Sequence, residues 1–148
     1  MTQEDKELLL IDLCARLPYG VKCHVPTKDK AMTLTGKRLN YFCFHDERCG
    51  VDYNHEYEVV LDPLNDAHNG YIIKPYLRPL SSMTEEEKRY LMSLKYQPSA
   101  FKWKNLIISS QEIIDWLNAH HFDYRGLIEK GLAIEVTEEN NPYKDNKI

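Results

Sequence analysis

The hydrophobic period of this chain changes twice along its length, and that pattern constrains the fold more than any other feature. Near the start, Leu10, Leu13, Cys14 and Leu17 recur at helical spacing. Thr2 is placed to cap, Glu4 and Asp5 occupy the electropositive first turn, and Pro18 ends the run, so the spacing predicts an amphipathic helix over residues 3–16. From Tyr19 to about Leu77 the period drops to two, and β-branched and aromatic residues sit between turn signals. Val21, Cys23 and Val25 alternate with Lys22 and His24, and Met32 and Leu34 continue the pattern. Tyr41-Phe42-Cys43-Phe44 is apolar on both faces, Tyr57, Val59 and Leu61 alternate again, and Asn69-Gly70 forms a turn before Tyr71, Ile72 and Ile73. Five short strands in succession predict an antiparallel meander, with a curl into a small SH3-like barrel as its natural way to close.

The helical period then returns. Thr84 with Glu87 is a capping box that opens a helix over 85–94, and Gln97-Pro98-Ser99 breaks it. Phe101 to Ile108 reads as an extended segment. Ser109 with Glu112 reads as a second capping box, opening a helix whose buried side carries Ile113, Trp116 and Leu117. Asp123 caps a short last helix that Gly131 ends in the left-handed conformation, and Ala133–Val136 adds a final strand. The fold class is therefore α+β: an N-terminal helix, a five-stranded meander, and two or three C-terminal helices. Residues 1–136 form one domain and 137–148 a flexible polar tail.

With 148 residues, 43% hydrophobic and 28% charged, the chain has the size and composition to bury a core without metals or disulfides. Its formal net charge of −4 argues against a broad footprint on phosphate backbones. No stretch approaches the ~20 apolar residues that span a bilayer, and Leu8–Ile11, preceded by acidic residues, lacks the pattern of a secretory signal. A cytoplasmic location is expected, in which Cys14, Cys23, Cys43 and Cys49 are thiols or metal ligands.

Three segments carry a resemblance. They are Asp12-Leu13-Cys14-Ala15-Arg16-Leu17-Pro18-Tyr19-Gly20-Val21-Lys22, the run from Lys74 to Glu87, and Asp115-Trp116-Leu117-Asn118 through Phe122-Asp123-Tyr124-Arg125-Gly126-Leu127-Ile128. Through them the chain resembles small proteins of Bacteroides-type gut bacteria, their prophages and mobile elements. That resemblance implies a biological setting. It carries no activity and no catalytic or binding residues.

Four groups of residues stand out as candidate sites. If Phe42 and Phe44 face the core, Cys43 and His45 share the opposite face, and His24 points the same way from an earlier strand. With Cys49 these residues supply the four N and S donors of a zinc site if their strands are neighbours, although the spacing matches no zinc signature; ordinary hairpin thiols are the simpler reading. A Cys43–His45 nucleophile pair lacks any sequence signal for an oxyanion hole. His120-His121 reads as one ring on the apolar stripe and one in solvent. Phe101-Lys102-Trp103-Lys104 alternates aromatics with cations, as base-stacking surfaces do, though large aromatics more often serve a core. Ten tyrosines exceed what such a core needs, and tyrosine favours contact surfaces.

The leading expectation is a non-enzymatic accessory protein of a phage or mobile element that acts by macromolecular binding through Tyr41, Tyr53, Phe101 and Trp103. Its expected partner is a protein, ahead of nucleic acid, with no membrane and no cofactor. The alternative is a zinc-supported protein or enzyme built on Cys43, His45, Cys49 and His24.

Overall fold

A computed structural model describes residues 2–25, 30–37, 41–56, 73–95 and 102–144, with side chains described except at 41, 54–56, 95 and 102–110. The first helix, α1 (Gln3–Arg16), has the span its sequence predicts. Thr2 Oγ1 accepts the Asp5 N–H at 3.1 Å and the Asp5 carboxylate accepts the Thr2 N–H at 3.3 Å, so two of the orphan donors at the helix start are satisfied reciprocally. Its buried side presents Leu9 and Leu13, and also Asp12 and Arg16. A single 3₁₀ turn containing Pro18 follows, and Gly20, at φ +66°, takes the left-handed step into the sheet.

Six strands form one open, mixed sheet. They are β1 (Lys22–Val25), β2 (Lys30–Lys37), β3 (Tyr41–Asp46), β4 (Val51–Glu56), β5 (Lys74–Leu77) and β6 (Ile134–Glu135), arranged β4-β3-β2-β1-β5-β6. The first four make the expected antiparallel meander, with a bulge between Leu34 and Gly36. β5 then crosses to the other side of β1, antiparallel to it, and β6 joins β5 in parallel. The sheet is not closed, so the curl into an SH3-like barrel finds no counterpart among the described residues. Tyr57, Val59 and Leu61, read as a strand, lie outside the described residues, as do Tyr71 and Ile72. In β4, Asp52, Asn54, His55 and Glu56 give the sequence a polar look that hides the strand.

The two later helices are α2 (Glu85–Lys95) and α3 (Lys102–Ala119). The expected extended segment is a correction: from Lys102 onward the backbone is helical, and Ser109 stands inside α3 rather than at its start. The β-branched Ile107 and Ile108 signalled a strand, but their helical neighbours out to Trp116 and Leu117 override that weak preference. Phe101 lies outside the described residues. Beyond α3, Asp123 accepts the N–H groups of Leu127 and Ile128 at 2.9 and 3.0 Å, and Leu132 N–H closes back on Leu127 C=O at 3.0 Å with Gly131 at φ +73°. Both expected caps are present, yet the span between them is a turn too short to propagate as a helix.

One face of the sheet meets α1. Leu9 and Leu13 pack with Val21, Cys23, Val25, Met32, Leu34, Phe42, Phe44, Ile73, Leu77 and Leu127 into a single core. The opposite face carries Lys22, His24, Thr33 and His45.

Candidate functional site

The site grows from a defect in the sheet. β1 and β5 pair at Cys23 with Pro75 and at His24 with Lys74, and the next pair in register is Lys22 with Tyr76. There the ladder is interrupted. The Tyr143 hydroxyl stands between the two strands, accepting the Lys22 N–H at 3.0 Å and donating to the Tyr76 C=O at 2.7 Å. A phenol thus replaces one rung where β5 leaves β1 and takes β6 on its other side. Residues 137–144 deliver it. Thr137 and Asn140 close a local turn, and Asn141 then accepts the Tyr143 N–H at 2.9 Å. Burial pushes the Tyr143 phenol well above its ordinary pKa, so it remains a neutral donor.

His121 lies flat against that phenol. The ring centroids are 3.8 Å apart and the planes differ by 9°. The backbone beneath is unusual: His121 has φ +62° and is the one non-glycine residue with positive φ among those described. It occupies the left-handed position that closes α3, where Phe122 N–H reaches Leu117 C=O at 2.9 Å and His121 N–H reaches Asn118 C=O at 3.1 Å. Glycine holds that position at no cost, whereas a residue with a Cβ gives up about 1 kcal/mol or more. Nδ1 of His121 is buried without a hydrogen-bond partner. Burial, aided by the surrounding cations Arg16, His120, Arg78 and Lys22, pulls its pKa down to about 4, so the ring is neutral at pH 7.

Behind His121 is a buried ion cluster. Asp12 and Arg16, one turn apart on α1, are both fully buried. Arg16 Nε donates to Asp12 at 2.8 Å and its Nη2 to the Phe122 C=O at 2.6 Å, while Nη1 has no partner. Arg125 reaches the other Asp12 oxygen at 2.9 Å, and the Tyr124 ring lies against both guanidiniums. Tyr124 in turn donates to Asn118 of α3 at 2.9 Å. The cluster therefore ties α1, α3 and the 122–128 turn together. Arg78, just past β5, grips Glu87 of α2 with two bonds of 2.9 and 2.7 Å and covers the Phe122 ring at 4.1 Å.

Two clefts open on either side of the 141–144 segment, and Asn141, Tyr143 and Lys144 line both. The first, of about 540 Å³, is walled by Lys22, Thr33, Glu47 and Arg48. The second, of about 600 Å³, is walled by Arg78, Ser82, His120, His121 and Glu138. Both have the size of a small-ligand or peptide-side-chain site.

The residues singled out from sequence lie elsewhere. Cys43, His45 and His24 do share the outer face of the sheet, as alternation predicts. However, β2 runs between β1 and β3, which sets the His24 backbone about two strand spacings, roughly 10 Å, from that of Cys43 and His45. His45 Nδ1 pairs with Asp52 at 2.7 Å, and Cys49 is exposed in the following turn. Among the described residues no three His, Cys, Asp or Glu side chains converge as metal ligands. Cys23 is buried and its thiol is pushed up by that burial, which removes it as a nucleophile. Tyr53 stands opposite Phe44 on the core side of the sheet, packed against the core. Tyr41 opens β3 and Trp103 lies in the first turn of α3, but their side chains, like all of Phe101, lie outside the described residues.

Sequence reasoning missed Tyr143, His121 and the Asp12–Arg16 pair as a site. The signals were slight: an aromatic after Asn141-Pro142 in a polar tail, and an acid and a base at i, i+4 beside the Leu9–Leu13 stripe. The left-handed His121 leaves no local mark. Comparison with protein-family models, with curated proteins and with solved structures gave no match. No helix among the described residues is long and apolar enough to cross a membrane.

Proposed function

We propose that this chain is a non-enzymatic accessory protein that binds a macromolecular partner, with a protein as the favoured partner, through the two clefts flanking Tyr143. The observation that carries this reading is the left-handed His121 stacked on Tyr143. A left-handed backbone held in place by a stacked, half-buried aromatic pair and an ion cluster is a feature that a fold keeps where a side chain must sit at a fixed angle beside a binding surface. Supporting it, burial holds the Cys23 thiol protonated. The setting among phages or mobile elements of gut bacteria rests on the sequence resemblance alone.

The test is native mass spectrometry of the chain, gently purified from a host of that kind, beside a variant carrying His121→Gly and Lys144→Ala. A second polypeptide retained by the parent and lost from the variant is the expected result. A bare parent chain, or a polypeptide held equally by both, overturns the reading.

A further inference from the structure

We infer that the second cleft, walled by Arg78, Ser82, His120, His121 and Lys144, is an oxyanion site that takes the carboxylate or phosphate group of a ligand. This rests on reading the clefts flanking Tyr143 as the binding region, and it specifies what one of them recognises. The charges decide the class. In a chain of net charge −4, this cleft gathers two cations and two imidazoles against one wall carboxylate, Glu138.

The cations differ in availability. Arg78 is engaged by Glu87, so it contributes mainly its field and the rigidity of the wall. Among the described residues Lys144 Nζ donates to the Glu138 C=O at 3.4 Å and pairs with no carboxylate, so its charge is open to a ligand. His120 donates its Nδ1–H to the Trp116 C=O at 2.9 Å, so its neutral ring keeps a lone pair at Nε2, whereas the buried, unpartnered Nδ1 of His121 assigns that ring's proton to Nε2. The Ser82 hydroxyl gives its one proton to the Pro79 C=O at 2.7 Å, so it lines the cleft without adding a donor. The His121 Nε2–H beside the Lys144 ammonium gives an oxyanion two donors in the field of Arg78, and each bond to the anion is charge-assisted. An anion also relieves the cluster itself, because the groups that act on His121 are all cationic.

Inorganic phosphate and acetate, titrated separately into protein with ¹⁵N-labelled histidine and followed by NMR at constant ionic strength, test the site. Saturable shifts of the His121 and His120 ring nitrogens are expected, with His121 titrating at least about one pH unit higher in the complex. The tighter of the two anions names the group. Lys144→Ala and His121→Gly are each expected to weaken binding at least fivefold; glycine fits φ +62° without strain, so the second variant keeps its fold. Failure of either anion to saturate, or binding unchanged in either variant, overturns the inference. A partner retained in native spectra despite that failure would leave the broader binding reading standing.

Discussion

Tyr143 does by one oxygen what a strand usually does by its backbone. Its hydroxyl stands in for a rung between Lys22 and Tyr76, so Tyr143→Phe keeps the stack on His121 but removes two part-buried hydrogen bonds, from the Lys22 N–H and to the Tyr76 C=O. An unsatisfied buried group costs about 1–3 kcal/mol, and urea unfolding should show a loss of that order. A midpoint equal to that of the parent would mean that β1 and β5 close the gap by themselves. The Asp12 carboxylate is the second residue on which much depends, because it serves both Arg16 and Arg125. Asp12→Asn leaves a buried guanidinium without its counter-charge, and breaking such a pair costs about 3–5 kcal/mol. Adding Arg16→Met removes the stranded charge, so the double variant should unfold at higher urea than Asp12→Asn alone. That sign reversal is the signature of coupling within a buried ion cluster.

At the scale of elements, the α2 cap links a helix to the sheet. Thr84 Oγ1 accepts the Glu87 N–H at 3.1 Å, Glu87 accepts the Thr84 N–H at 2.9 Å, and the same carboxylate holds Arg78 beyond β5. Thr84→Ala should cost about 1 kcal/mol, the usual worth of an N-cap, and should loosen the Arg78 wall of the second cleft; calorimetry and hydrogen exchange at Arg78 would register both. This cap was legible in sequence, as were α1 with its Thr2 cap, the alternation of Val21, Cys23 and Val25, and the Gly131 closure, because each is set by local chemistry within a few residues. What sequence hid was set from a distance. Whether residues 102–108 extend or coil is decided by continuity with the rest of α3. The strand order, which separates His24 from Cys43 by inserting β2, follows from a meander that sequence suggested, but the place of β5 on the far side of β1 is set by partners distant in sequence, Cys23 with Pro75 and Tyr76 with Tyr143, the latter 67 residues apart. Tyr143 and His121 each look ordinary in their own neighbourhoods. Their meaning exists only where they meet.

For the whole molecule, these local arrangements predict the response to acid. His121 stays neutral in the folded protein down to about pH 4, while in the unfolded chain it takes up a proton near its ordinary 6.5. Between those values the unfolded state binds more protons, so stability falls as the pH drops from about 6.5 to 4, by up to about 3 kcal/mol for a group buried this deeply. The carboxylates act lower down. Arg78 holds Glu87 at about 2, and Lys30 holds the buried Asp46 at about 2, against ordinary values of 4.5 and 3.8. Their contribution is complete above those ordinary values and is lost as the pH falls toward 2. Two windows therefore follow one another, an upper one belonging to an imidazole and a lower one to carboxylates. His121→Gly separates them, since it removes the upper window and leaves the lower. Urea midpoints at about pH 7, 5.5 and 4.2 should decline steadily for the parent and stay nearly level for the variant, and both should then fall together in stronger acid. A variant that declines in parallel with the parent from pH 7 would show that the acid response of this fold resides in its other histidines and that the ring beside Tyr143 is already free to charge.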